Sequence, residues 1–204
     1  MEPDDTQIRV ARWHSNDEAA REHARDRLSL LLKLVASGDK EAMSEVYKLT
    51  SGRLYALLMQ MLPSQGDADE VLQEAYLTVW RRAQSYTPGQ ASPMTWLITI
   101  TRNKAIDRLR SDKNARKAEP LDDLTEEPVD DKPSAFNLIE TDQEHQRLHY
   151  CLGQLEDRQR DAIRTAFFSG VTYQELAERA AVPLGTMKSW IRRGLIRLKA
   201  CLET

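Results

Sequence analysis

The stretch from Thr172 to Lys199 constrains the fold more than any other, because its residues specify two helices joined by a tight turn. Thr172 and Glu175 have the spacing of a capping box, in which the hydroxyl takes an unpaired amide of the first turn and the carboxylate takes the amide of the capping residue. A helix through Leu176 and Ala177 follows. Val182-Pro183 then demands an extended residue and a new helix start, since proline in the first helical position loses no hydrogen bond. In the second helix Leu184, Met187, Ile191, Leu195 and Leu198 recur at spacings of three and four and predict one packed face. Thr186, Ser189 and Arg193 point away from that face. Lys188 and Arg192 lie on one flank, Trp190 and Arg197 on the other.

Between Thr186 and Lys199 there are five basic residues (Lys188, Arg192, Arg193, Arg197, Lys199) and no acidic one. A charge run on a single helix is by default a solvated face. A capped short helix, a turn and an amphipathic basic helix together match a helix-turn-helix, whose second helix enters the major groove of DNA.

The rest of the chain sets limits on this reading. With 204 residues, 41% hydrophobic and 30% charged, it has material for one or two small cores. It lacks a run of about 18 apolar residues and a charged-then-apolar leader, so the expected compartment is the cytoplasm. Cys151 and Cys201, far apart and without metal-ligand spacing, read as small, reduced hydrophobes. Strand-like alternation is absent and the expected class is all-α. The net charge of -3 argues against nucleic acid only until its distribution is seen. Ala118–Glu144 holds ten acidic residues against one basic, Lys132, whereas Arg102–Lys117 holds seven basic against two acidic, Asp107 and Asp112. Basic surfaces are separated by an acidic tether.

Along the chain, residues 1–27 form a polar extension of unassigned role, a frayed arm or loose helix. A helix through Leu28 to Ala36 ends at Gly38, and Asp39 caps the next, which leads past Met43, Val46 and Tyr47 to Leu62. Pro63 and Gly66 break the chain before a helix with Asp67 and Asp69 at its positive end. Tyr86 to Pro93 is a loop, and a helix from Ser92 or Pro93 through Trp96, Leu97, Ile100 and Ile106 turns basic as it proceeds. Pro120, Pro128 and Pro133 with acids between them do not bury enough apolar surface to fold alone. The expected organisation is two small helical domains, residues 28–114 and 136–204, joined by an acidic flexible linker over 115–135.

Several ordered segments resemble one family. They are Asp67-Ala68-Asp69-Glu70-Val71-Leu72-Gln73-Glu74, Val79-Trp80-Arg81, Trp96-Leu97-Ile98 and Arg102 through Arg110, followed by Leu155 through Arg160, Gly170 through Ala177 and Val182 through Ser189. In order and spacing they resemble the extracytoplasmic-function (group 4) sigma factors of bacterial RNA polymerase, in the sigma-70 superfamily, over about residues 28 to 200. The resemblance implies a region 2-like bundle followed by a region 4-like helix-turn-helix. It implies a subunit, not an enzyme, that binds core RNA polymerase and promoter DNA, helps open the duplex, and is held by an anti-sigma protein in a stress or environmental response.

The resemblance also assigns residues. Asp69, Glu70, Gln73 and Glu74 occupy the segment that docks on polymerase. Arg102, Asn103, Lys104, Arg108 and Arg110 fall where the -10 element is recognised and melted, with cations for the backbone and Asn103 as the leading base contact. Pro183, Gly185, Thr186, Lys188, Ser189, Arg192 and Arg193 fall on the -35 contact positions. The loop from Tyr86 to Pro93 is a candidate holder for a flipped base, while Trp96 reads as core and Asp107 as structural, pairing within its own helix. Two departures stand out. Trp190 replaces an arginine common in the family, with packing against the domain's flank as its plain reading, and Thr101 replaces an alanine. The acidic tether resembles the family's linker, which threads through polymerase.

Two other classes remain. A stand-alone helix-turn-helix regulator requires a dimer and a palindromic site. A zinc site on His145 and His149 lacks the glutamate of a protease motif and a third ligand, so no metal or cofactor is expected.

Overall fold

The computed structural model describes the backbone of residues 5–118 and 143–203, and side chains over 19–113, Arg21 apart, and 147–203. Among the described residues every regular element is helical: α1 Asp5–Ala36, α2 Lys40–Met61, α3 Gln65–Arg82, a 3₁₀ turn Ala83–Ser85, α4 Pro93–Ala118, α5 Gln143–Gly153, α6 Asp157–Phe168, α7 Tyr173–Arg179 and α8 Leu184–Glu203. The acidic tether lies largely outside the described residues. No helix among the described residues is long and apolar enough to cross a membrane. The chain gathers into two compact units, Met1–Leu54 with Leu72–Thr101, and Tyr55–Val71 with Arg102–Thr204.

Local chemistry sets the helix ends. Gly38, at φ 90°, closes α1 through amide bonds from Gly38 to the Val35 carbonyl and from Asp39 to the Leu34 carbonyl. The Asp39 carboxylate then accepts from the amides of Glu41 and Ala42 at 2.8 and 2.9 Å, capping α2. Ser92 caps α4 by accepting from the Thr95 amide at 3.1 Å, with Pro93 as the first helical residue. Two expectations shift by a residue or two. Gly66 lies inside the first turn of α3 and breaks nothing, because Ser64 caps that helix by accepting from the Asp67 amide at 3.1 Å. Pro183 sits one residue before α8, with its carbonyl accepting from the Met187 amide.

In the first unit Leu32, Val35, Val46, Leu54, Val79 and Leu97 are almost wholly buried. Thr50 is buried with them, its hydroxyl donating to the Val46 carbonyl at 2.6 Å and lying 2.7 Å from the Tyr76 hydroxyl. In the second unit Ala162, Leu176, Ala177, Met187 and Ile191 form a core, with Ile163, Val182, Leu184 and Trp190 packed against it. The packed stripe of α8 departs from expectation at Leu195, which is 48% exposed, while Gly194 is buried. A Cβ on Gly194 would meet Ile163 Cδ1 at 2.6 Å, so α6 approaches where α8 has no side chain.

The cysteines correct the sequence reading. Cys151 and Cys201 form a disulfide between α5 and α8, with Cα atoms 5.8 Å apart. A separation of 50 residues gives no hint of pairing, and only the packing of these two helices brings the thiols together.

Candidate nucleic-acid interface

The helix-turn-helix forms as its spacing requires. The Thr172 hydroxyl accepts from the Glu175 amide at 3.2 Å, and the Glu175 carboxylate accepts from the Thr172 amide at 2.7 Å. That amide, then the Lys113 ammonium and the Thr172 hydroxyl, hold the Glu175 carboxyl down to about 2. At the end of α7 the Val182 amide reaches the Ala177 carbonyl and Ala181 takes φ 51°, a left-handed closure normally given to glycine. The chain thereby turns sharply into α8.

The outer side of α8 is cationic. Pro183, Gly185, Lys188, Arg192 and Arg193 are exposed, and Thr186 and Ser189 are half-buried. A Cβ on Gly185 would meet nothing within 4 Å, so backbone there is open to a close approach. Arg193 donates to the Ser189 hydroxyl at 2.8 Å, which orders both side chains on one face. Tyr173, Lys188, Ile191, Arg192, Leu195, Ile196 and Lys199 line a shallow groove with an apolar floor and a cationic rim. Trp190 is half-buried against the core with the Arg158 guanidinium 5.4 Å from its ring centre. Glu156 in turn accepts from Arg158 and from Arg197, which lowers its pKa. The tryptophan packs, and the arginines beside it are engaged with protein.

On α4 the basic residues divide into distinct groups. Asn103 is exposed and Lys104 half-buried. Arg102 donates from Nε to the Phe167 carbonyl and from Nη2 to the Ala166 carbonyl, each at 2.8 Å, and its pKa is lowered by burial. Arg110 donates to the Gly170 carbonyl at 3.4 Å. Arg108 faces carboxylates, pairing with Asp67 at 2.5 Å, Glu70 at 3.0 Å and Asp112 at 3.6 Å. The carboxylates of α3 that lie next to Arg108 in space are 38 and 41 residues away in the chain, a pairing with no signature in the linear pattern.

Asp69, Glu70, Gln73 and Glu74 are exposed on α3, where Leu77 continues them as a 55% exposed apolar residue that sequence reasoning missed. In the loop before α4, Tyr86 is buried and its ring lies 5.5 Å from that of half-buried Trp96. Asp107 is exposed. Among the described residues no group of three metal-ligating side chains occurs, and His145 lies outside the described side chains.

Comparison with known proteins fits this architecture. Sigma-70 region 2 matches residues 46–115 and Sigma-70 region 4 matches residues 145–198. The chain is 38% identical over 177 residues to the ECF RNA polymerase sigma factor SigK of Mycobacterium sp. strain KMS, covering 86% of this chain and 90% of that protein. It belongs to the ECF sigma factors of RNA polymerase. The sigma factor is also 36% identical over 183 residues to SigK of Mycobacterium ulcerans strain Agy99, covering 87% and 95% of the two chains. Among solved structures it is similar to Rhodobacter sphaeroides SigE in complex with the anti-sigma ChrR, at 29% identity and a TM-score of 0.45 over 88% of this chain and 99% of that one. As a member of this family it directs RNA polymerase to promoters, and region 2 lies N-terminal to region 4 along the chain.

Proposed function

We propose that the sigma factor works through two functional halves, residues 28–114 and 136–204 joined by the acidic segment 115–135, with promoter contacts divided between α8 and α4. Pro183, Gly185, Thr186, Lys188, Ser189, Arg192 and Arg193 read the -35 duplex. Asn103, with Arg102, Lys104 and Arg110, handles the -10 strand as it comes apart. Asp69, Glu70, Gln73 and Glu74 dock on core polymerase, a polar surface suited to binding and later release. The observation that carries this reading is the outer face of α8, where exposed cations stand with no acidic residue between Thr186 and Lys199. Lys188 and the arginines supply counterion release and guanine contacts, and the hydroxyls of Thr186 and Ser189 supply phosphate or base-edge bonds. The protein has no catalytic role of its own, works in the cytoplasm beside polymerase, and is regulated by an anti-sigma protein in a stress or environmental response.

The test is promoter binding by the reconstituted holoenzyme across a salt series. Arg192→Ala and Arg193→Ala are each expected to weaken binding and to lower the log–log salt slope by about one. Asn103→Ala is expected to spare the slope and to reduce permanganate reactivity at the -10 element. Unchanged slopes together with normal melting would remove these assignments.

A further inference from the structure

Arg108 differs from the other α4 cations in having three carboxylates around it: both terminal nitrogens are paired at close range, and Nε, without a hydrogen bond of its own, faces the third carboxylate at ion-pair distance. Its Nη2 pairs with Asp67 Oδ1 at 2.5 Å, its Nη1 with Glu70 Oε2 at 3.0 Å, and its Nε lies 3.6 Å from Asp112 Oδ1. Asp67 and Glu70 are one turn apart on α3 and Arg108 and Asp112 one turn apart on α4, so both helices present matched faces. One positive and three negative charges leave this spot anionic, the wrong sign for a phosphate. All four residues belong to the same compact unit.

A second feature fixes the cluster in place. Ser64, which caps α3, also donates to Asp67 Oδ2 at 2.6 Å, so the carboxylate that receives Arg108 is held by its own helix start. The Asp67 side chain is only 18% exposed, and a planar guanidinium between two carboxylates resists rotation better than an ammonium would. Such a bridge defines the angle and register of α3 against the part of α4 that follows Arg102.

We propose that Arg108 is a positioning residue, which through Asp67 and Glu70 sets the polymerase-facing helix α3 against the strand-opening helix α4 and does not itself contact promoter DNA. The proposal rests on the division of labour given above. Glu70 has two roles in it, with one carboxylate oxygen on Arg108 and the exposed remainder facing polymerase. Binding of polymerase at α3 is transmitted to the opening helix through a rigid ionic contact.

The two roles for Arg108 make opposite predictions for its partner. If Arg108 touched the DNA backbone, Asp67→Asn would release it and promoter binding would hold or improve. As a positioning residue it needs Asp67, and Asp67→Asn should fail as Arg108→Gln does. Holoenzymes carrying Asp67→Asn, Arg108→Gln and the double substitution are compared for core-polymerase affinity, salt slope of promoter binding and permanganate reactivity at the -10 element. Each single variant is expected to lower the open fraction about tenfold, within the range of coupling between members of one salt-bridge network. The double variant should be no worse than either single, with the slope unchanged and polymerase affinity within about twofold. A slope lowered by about one in Arg108→Gln, additive losses in the double variant, a parallel loss of polymerase affinity, or undiminished opening in Asp67→Asn would each overturn the proposal. Urea unfolding of each variant identifies one that fails to fold, and Arg108→Lys then replaces Arg108→Gln under the same criteria. A wild-type holoenzyme that initiates at no promoter would defeat the division of labour instead.

Discussion

The Arg102 guanidinium covers the end of α6 like a lid, lying 4.9 Å from the centre of the Phe167 ring and donating to the carbonyls of both Phe167 and Ala166. Those carbonyls belong to the last turn of α6, where no helical amide remains to serve them and the helix dipole favours a cation. The same guanidinium is a proposed contact for the melted strand, and the Nε–Nη2 edge that serves these carbonyls cannot present its paired donors to a phosphate until it leaves them. Phe167→Ala removes the ring but leaves the carbonyls. The free sigma factor carrying it is expected to bind a single-stranded -10 oligonucleotide about two- to fivefold more tightly, the worth of one exposed cation–π contact. Fluorescence anisotropy decides it, and an unchanged affinity would show that the ring does not restrain Arg102.

Glu175 gives the fold an acid-sensitive joint. Its carboxyl lies at about 2 in the folded chain against an ordinary value of 4.5, so its contribution is fully present above pH about 4.5 and is lost as pH falls towards 2. Glu175→Gln keeps the shape and removes the titration. The fall in melting temperature between pH 5 and pH 3 is therefore expected to be smaller in the variant than in the wild type. Equal falls would show that the capping box carries none of the acid sensitivity.

The disulfide ties α5 to α8 across a loop of 50 residues. On the chain-entropy account a closed loop of that length stabilises by about 4 kcal/mol. Adding a thiol reductant is expected to lower the melting temperature of the wild type and to leave a Cys151→Ser/Cys201→Ser variant unaffected, with the variant melting near the reduced wild type. A wild-type melt indifferent to reductant would exclude the bridge in solution.

Thr101 is fully buried, and its hydroxyl has no hydrogen-bond partner. An unpaired buried hydroxyl costs about 1–3 kcal/mol. Thr101→Val keeps the branched shape without the polar atom and is expected to raise stability by about 1 kcal/mol, read by urea denaturation. A loss of stability would mean that the hydroxyl is served after all.

The capping box, the apolar spacing of the helices and the Gly38 stop were legible because each is decided within a few residues. So were the basic face of α8 and the separation of charge along the chain. Leu195 was misjudged for a specific reason. Periodicity finds a face but not the depth at which a neighbour sits, and α6 packs over Gly194 instead. For Trp190 packing is the plain reading of the sequence, but its partners are not legible there, since its ring meets both Arg158 and the core only when α6 and α8 are side by side.

The sequence by itself determined the helical class, the helix-turn-helix, the family and the positions of the cations proposed for DNA, since local spacing and charge are sufficient for these. Only the tertiary structure decided which cations are already committed. Arg102 is bound to the end of α6, and Arg108 to the carboxylates of α3. The physical reason is that an arginine's role is set by its nearest anions and carbonyls. Here those lie on other helices, 38 to 65 residues away along the chain.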